Sequence, residues 1–242
     1  MTNRHIHEDA SAAAHACAER IFALLHTILE TQEIATLAVS GGSTPKLLFQ
    51  ALVNSGFKGE RVHLFFVDER PVGPNDPQSN YGLAKEHLLS PARYPPENVH
   101  RIHGELEHNQ AAARYAEEIR QFFTITGLGL PQFDIIQCGM GSEGHTASLF
   151  PGQPAIENRT EFVASVWVEK VGQWRTTLLP GVLLNAKHIL MLLAGADKAP
   201  ALRDVFEAKY NPLQLPAQLL TNSGLPVEWF LDRAAASRIN EK

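Results

Sequence analysis

The stretch Phe133–Pro151, FDIIQCGMGSEGHTASLFP, constrains the rest of the chain more than any other. It opens with Phe133, Asp134, Ile135, Ile136 and Cys138, a short apolar run of the kind that forms a buried strand. The run stops at Gly139-Met140-Gly141, turns through Ser142-Glu143-Gly144 and delivers His145, which is expected in the first turn of a following helix. Three glycines at this spacing let the backbone take positive φ angles and approach a ligand closely. In open α/β sheets, ligands lie beyond the carboxyl ends of the strands. The same residues also fit an ordinary tight strand-to-helix turn with a solvent-facing histidine, because this glycine spacing is weakly specific by itself.

Four other apolar runs end in a comparable way. Thr36–Ser40 (TLAVS) runs into Gly41-Gly42-Ser43-Thr44-Pro45, where Thr44 suits a helix N-cap and Pro45 the first helical position. Gly41 and Gly42 would expose N–H groups beside a helix N-terminus. Free donors and the helix dipole together favour an anion there, although an ordinary capped turn has the same residues. The spacing is not that of a Walker A loop. Val62–Val67 (VHLFFV) ends in Asp68-Glu69-Arg70, a charged triplet with no evident need in folding. His188–Ala194 (HILMLLA) leads to Gly195-Ala196-Asp197-Lys198, where Lys198 either snorkels or reaches an anion. Val227–Leu231 (VEWFL) ends at Asp232, which suits the cap of a last helix.

Between these runs the helical periodicity is plain at about Glu8–Glu30 and Ala111–Phe123. The polar loop Asn75–Tyr81 leads to a helix over Tyr81–Leu89 that Asn80 suits as a cap. Val99–Ile102 reads as an edge strand and Phe162–Trp167 as another strand. Lys170–Gly181, which holds Arg175, reads as less regular. His5, His7 and His15 are expected on a frayed, solvated end, and His100, His103 and His108 on the surface. Strands alternating with helices predict an α/β fold, a Rossmann-like and mostly parallel sheet with helices on both faces. With no internal repeat or low-complexity linker, one domain over residues 1–242 is expected.

The composition narrows the partners. A net charge of −5 offers no excess of cations to neutralise phosphates, so no nucleic-acid partner is expected. No apolar run approaches the roughly 18 residues that span a bilayer, and the N-terminus lacks the apolar core of a signal peptide. The two cysteines, Cys17 and Cys138, make no disulfide framework, which leaves a reduced, cytoplasmic compartment as the expectation. No Cys or His pair has metal-ligand spacing, so no metal is required. In a parallel sheet the five polar strand ends face one crevice. A phosphate-cradling loop, two or three cations and one histidine describe a site for a small phosphorylated molecule.

Four stretches carry a closer likeness: LAVSGGSTP (Leu37–Pro45), FFVDERPV (Phe65–Val72) with Ser79–Tyr81, FDIIQCGMGSEGHTASLFPG (Phe133–Gly152), and WRTTLLPGVLLNA (Trp174–Ala186) running on to AGADKA (Ala194–Ala199). In these the chain resembles the 6-phosphogluconolactonases of the glucosamine-6-phosphate isomerase/6-phosphogluconolactonase superfamily. It departs from the pattern at Glu143, where the family usually has Asp, and around Arg175. A monomer or small homo-oligomer is expected. The resemblance implies hydrolysis of 6-phospho-D-glucono-1,5-lactone in the oxidative pentose phosphate pathway, without metal or organic cofactor. It implies that His145 activates water, that Ser43 and Thr44 belong to the phosphate loop with Gly41 and Gly42, that Arg175 and Lys198 are its cationic partners, and that Asp68 and Arg70 lie near the lactone ring. Glu143 is expected to orient the loop or the histidine ring, or to cap the following helix. Two other readings stand beside it. One is a deaminase/isomerase of the same fold, against which Asp68-Glu69-Arg70 and the Thr146–Pro151 ending speak. The other is a non-catalytic sugar-phosphate sensor, for which the chain shows no DNA-binding module.

Overall fold

The computed structural model describes residues 3–221 and 223–240. Its strands in chain order are β1 (Asn3–His7), β2 (Ala35–Val39), β3 (Val62–Phe66), β4 (Asp68–Glu69), β5 (Val99–His100), β6 (Ile135–Cys138), β7 (Val163–Val168), β8 (Gln173–Leu178), β9 (His188–Leu193) and β10 (Val227–Asp232). The helices are α1 (Ala10–Thr31), α2 (Ser43–Asn54), α3 (Asn80–Ala84), α4 (His108–Phe122), α5 (Pro180–Leu183), α6 (Ala199–Glu207), α7 (Gln218–Thr221) and α8 (Arg233–Ala236); a π-helical turn, Lys85–Leu89, extends α3. Seven strands form one sheet in the order β1-β10-β9-β6-β2-β3-β5, and every pairing in it is parallel. The expected α/β architecture, a mostly parallel sheet with helices on both faces, is the one observed.

The central strands read ATLAV and IIQC because they are covered on both sides; every residue in β2 and β6 is buried. Polar groups at their base are paired off. Asp134 Oδ2 accepts from the Thr36 N–H at 2.8 Å and from its hydroxyl at 2.9 Å, while Oδ1 meets Lys187 Nζ at 2.7 Å. This couples β2 to β6 where both begin. Above the sheet, α1 presents Ala13, Cys17, Ile21, Leu24, Leu25 and Ile28 to the core, and the Asp9 side chain caps it by accepting from Ala12 N–H at 2.8 Å. Burial of each larger aliphatic side chain in that row contributes about 1.5–3 kcal/mol.

The strand order places the site. From β2 the chain moves outward through β3 to β5. It then returns to the other side of β2 as β6 and moves outward again through β9 and β10. The loops after β2 and β6 therefore leave neighbouring strands in opposite directions, which opens a crevice at the carboxyl edge. A second, antiparallel sheet in the order β4-β8-β7 stands beside that edge.

Several sequence expectations are corrected. The segment expected to be less regular is strand β8, paired along its whole length with β7. Its mixed sequence, QWRTTL, is that of a strand whose outer half faces solvent. The end expected to be frayed is edge strand β1, parallel to β10, with the His5 and His7 rings stacked on Phe230 at 4.9 and 6.3 Å. His100 is not a surface residue: it stacks on Phe65 at 4.2 Å and bonds both His63 and Glu118 at 2.8 Å. Ser79 rather than Asn80 caps α3, through Gly82 N–H at 3.0 Å. No helix follows His145, where the chain instead makes consecutive turns closed by a bridge between Thr146 and Leu149.

Candidate active site

At the end of β2 the chain passes Ser40 and Gly41 and enters α2 two residues earlier than its sequence suggests. Gly42, with φ at 123°, is the N-cap, and no side chain caps the helix. Thr44 and Pro45 are thus inside the first turn, not at its border. The consequence is chemical: the N–H groups of Ser43 and Thr44 meet no capping side chain, and a helix start left in this state attracts an anion. Gly41 is required by packing, because a Cβ there would overlap the Asn80 side chain.

The triplet after β3 divides its labour, contrary to the expectation that folding does not need it. Asp68 and Glu69 form β4 and are buried, pairing with Thr177 and Thr176 of β8. Asp68 Oδ2 accepts from Ser148 Oγ at 2.6 Å and Oδ1 from Asn80 Nδ2 at 3.1 Å. Its carboxylate is thereby fixed in direction. Arg70 donates from Nη1 to the Gln78 carbonyl, and its Nε is buried without a hydrogen-bond partner among the described residues.

In the loop after β6, the Gly141 N–H donates to the His145 carbonyl at 2.9 Å and the Gly144 N–H to the Gly141 carbonyl at 3.0 Å. These bonds curl the chain back so tightly that a Cβ on Gly141 would overlap the imidazole of His145. The His145 Nδ1 stands 3.3 Å from Glu143 Oε2, and Glu143 Oε1 meets Lys170 Nζ at 2.7 Å. The His145 imidazole above all, with help from Lys170, holds the Glu143 carboxyl well below the usual carboxylate range, against the opposing effect of burial. One face of the imidazole stacks on Phe150 at 3.9 Å.

These loops enclose a cavity of about 270 Å³ lined by Ser40, Gly41, Gly42, Ser43, Thr44, Asp68, Arg70, Gly139, Gly141, His145 and Lys198 among others. Eight of the ten residues singled out in the sequence line it. Glu143 stands beside His145 Nδ1, and Arg175 lies on β8, outside the lining. The half-buried Arg175 donates to Gln173 Oε1 and to the Trp174 carbonyl. Burial first, then the like charge of Arg70, pull its guanidinium below its ordinary value, while Asp68 and Glu69 act the other way. Lys198, one quarter exposed, pairs with Asp197 at 3.1 Å. Ser148, Asn80 and Lys170 are site residues missed in the sequence. Ser148 and Asn80 fall within motifs already quoted, whereas nothing in the sequence marks Lys170. A larger cleft of about 810 Å³ at the β5 edge, lined by Tyr81, Arg101 and Arg114 among others, contains none of the site residues. Among the described residues, no three His, Cys, Asp or Glu side chains are grouped to hold a metal ion, and no helix is long and apolar enough to cross a membrane.

A family model described as glucosamine-6-phosphate isomerases/6-phosphogluconolactonase matches residues 8–229. The chain belongs to this family. The match begins just before α1 and ends inside β10, so it includes every loop of the cavity. A 6-phosphogluconolactonase of Nostoc is 33% identical over 96% of this chain and 96% of its own. The human 6-phosphogluconolactonase is 37% identical over 83% of this chain and 79% of its own. The solved structure of 6-phosphogluconolactonase from Trypanosoma cruzi superposes with a TM-score of 0.88 at 25% identity, covering 99% of this chain and 97% of that one. The family's fold and the sheet derived above are thus the same.

Proposed function

We propose that this chain hydrolyses 6-phospho-D-glucono-1,5-lactone to 6-phosphogluconate, the step of the oxidative pentose phosphate pathway that opens the lactone. Family membership and the named relatives support the reaction. The observation that carries the mechanism is a histidine whose Nδ1 stands 3.3 Å from a carboxylate, in a cavity that an uncapped helix start and Arg70 also line. With Nδ1 facing Glu143, the free lone pair of His145 is on Nε2. That nitrogen removes a proton from water as the oxygen attacks the lactone carbonyl, a task suited to a histidine at neutral pH. Charge develops on the carbonyl oxygen. Arg70 is its stabiliser in this reading, since Gly141 and Gly144 already direct their N–H groups within the loop. Collapse of the tetrahedral intermediate breaks the ring C–O bond, and the imidazolium returns its proton to the leaving ring oxygen.

The phosphate is placed at the start of α2, against the N–H groups of Ser43 and Thr44, with Lys198 and Arg175 as counter-charges. Binding there is remote from the carbonyl and holds the ring in register with His145. Asp68, fixed by Ser148 and Asn80, offers carboxylate lone pairs to ring hydroxyls. A small sugar phosphate suits a cavity just below the usual range for ligand pockets, about 300–1,000 Å³. Two free, fully buried thiols fit work in the cytoplasm.

The test is to generate the lactone from glucose 6-phosphate with its dehydrogenase and to follow 6-phosphogluconate release above the spontaneous rate. The wild-type chain is expected to accelerate it. His145→Ala is expected to reduce kcat by about 10²–10⁴-fold. Ammonia release from glucosamine 6-phosphate without lactone hydrolysis would overturn the reaction, and full activity in His145→Ala would overturn the base.

A further inference from the structure

Two separate tethers run from the β7–β8 hairpin to His145. The first is polar. Lys170, in the turn between β7 and β8, meets Glu143 Oε1 at 2.7 Å, and the other oxygen of the same carboxylate stands 3.3 Å from His145 Nδ1. The second reaches the ring face. Gln153 Nε2 donates to the Trp167 carbonyl of β7 at 3.0 Å, Gln153 Oε1 accepts from Phe150 N–H at 2.9 Å, and the Phe150 ring stacks on the imidazole. The hairpin belongs to the small antiparallel sheet, whereas His145 is on a loop of the large one. Arg175 is on the same hairpin, so the element that bears a proposed phosphate partner also grips the proposed base from two sides.

We propose that the β7–β8 hairpin is the device that orients His145, with Lys170 and Gln153 as positioning residues for lactone hydrolysis. The proposal rests on the reading of His145 as the base. Lys170 keeps Glu143 extended toward the imidazole and offsets its charge; Gln153 fixes the Phe150 ring on which the imidazole lies. Neither touches the cavity. The charged groups that face His145 are Glu143 from its own loop, Lys170 through Glu143, and Asp68, Arg70 and Lys198 around the cavity. Removing the Lys170 cation leaves the Glu143 charge less compensated, which favours the imidazolium. The acid limb of kcat/KM must then move to higher pH.

The experiment compares Lys170→Met, Lys170→Arg and Gln153→Ala with the wild-type chain. Lys170→Met is expected to lower kcat about three- to fivefold, the scale of one partly exposed ion pair, with KM within about twofold of wild type. Its acid limb shifts upward, and the ¹⁵N resonances of the His145 imidazole in the free protein are displaced. Lys170→Arg is expected to restore all three. Gln153→Ala is expected to lower kcat without moving the acid limb, because it changes the ring's support and not its charge. A Lys170→Met protein with wild-type pH profile and unmoved imidazole resonances overturns the proposal, as does Lys170→Arg behaving like Lys170→Met. The resonances are read without substrate. A failure of His145 as base, seen as full activity in His145→Ala, is therefore distinct from a failure of the tether.

Discussion

Glu69 accepts four hydrogen bonds: from Arg70 N–H at 2.8 Å and Asn80 N–H at 2.7 Å on Oε1, and from Tyr81 N–H at 2.8 Å and Ser79 Oγ at 2.9 Å on Oε2. Burial pushes its carboxyl above the ordinary value and those four bonds pull it back. Three of the donors lie at Ser79–Tyr81, where α3 begins, and the fourth is the neighbouring Arg70. Glu69→Gln would turn an NH₂ group toward one pair of donors and leave them unsatisfied. Stability is expected to fall by about 1–3 kcal/mol, read as a lower midpoint in urea; an unchanged midpoint would show that the segment does not depend on this carboxylate. At this scale the sequence was partly legible. Asp68, Arg70 and His145 stood out because charge at the end of an apolar strand is conspicuous. Glu69 stood beside them with the same charge, and its structural role depends on donors 10 to 12 residues later, which no local pattern reveals. Lys170 was invisible for the same reason: it is an ordinary turn lysine until the fold brings Glu143 to it.

At the scale of elements, capping decides what each strand end is free to do. Asp232 accepts from Ala235 N–H at 2.6 Å, capping α8, and its two oxygens also accept from Gly195 N–H at 3.1 Å. The cap of one helix therefore secures the loop that carries Lys198. Asp232→Ala is expected to cost about 1–2 kcal/mol by thermal or urea unfolding and to raise KM as the Gly195–Lys198 loop loosens. A change in stability with an unaltered KM would separate the cap from the loop. The capping aspartate was readable, because its residue type and position agree. The start of α2 was misplaced, because Thr44-Pro45 is a good helix border and the actual N-cap is a glycine with no side chain to give a signal. That silence has a physical reason: a side-chain cap would occupy the N–H groups that the cavity leaves open.

For the whole molecule, the alternation of apolar runs and helical periods was enough to give the parallel sheet, and the parallel sheet was enough to gather the site. What was lost was the second sheet and the edge strand β1, whose residues are half polar and whose partners are distant. Titration acts at this scale as well. Burial is the first cause that lowers His7, His63 and His188 from 6.5. For each, the unfolded chain takes up a proton at a higher pH than the folded one. Stability is therefore full above about pH 6.5 and declines as pH falls from there toward the lower folded values. Glu105, held to about 2 chiefly by its bond to Arg101, adds a further loss as pH falls below 4.5. Urea midpoints measured from pH 7.5 to 5 are expected to decrease, and His63→Phe is expected to flatten the decrease; a midpoint constant over that range would contradict the burial argument.

The pairing of β1 with β10 sets Asn3 opposite Glu228 and His7 opposite Asp232. During synthesis the first strand thus leaves the ribosome with no edge to join, and waits until more than two hundred further residues have been added. Its docking closes the longest loop of any strand pairing among the described residues, the kind of step that is slow and comes late. Until then the outer edge of β10, or of whichever strand is outermost, is open to any other extended chain. The His5, His7 and Phe230 stack forms only with this last closure, so it marks the point at which β10 is covered and β1 becomes the edge strand.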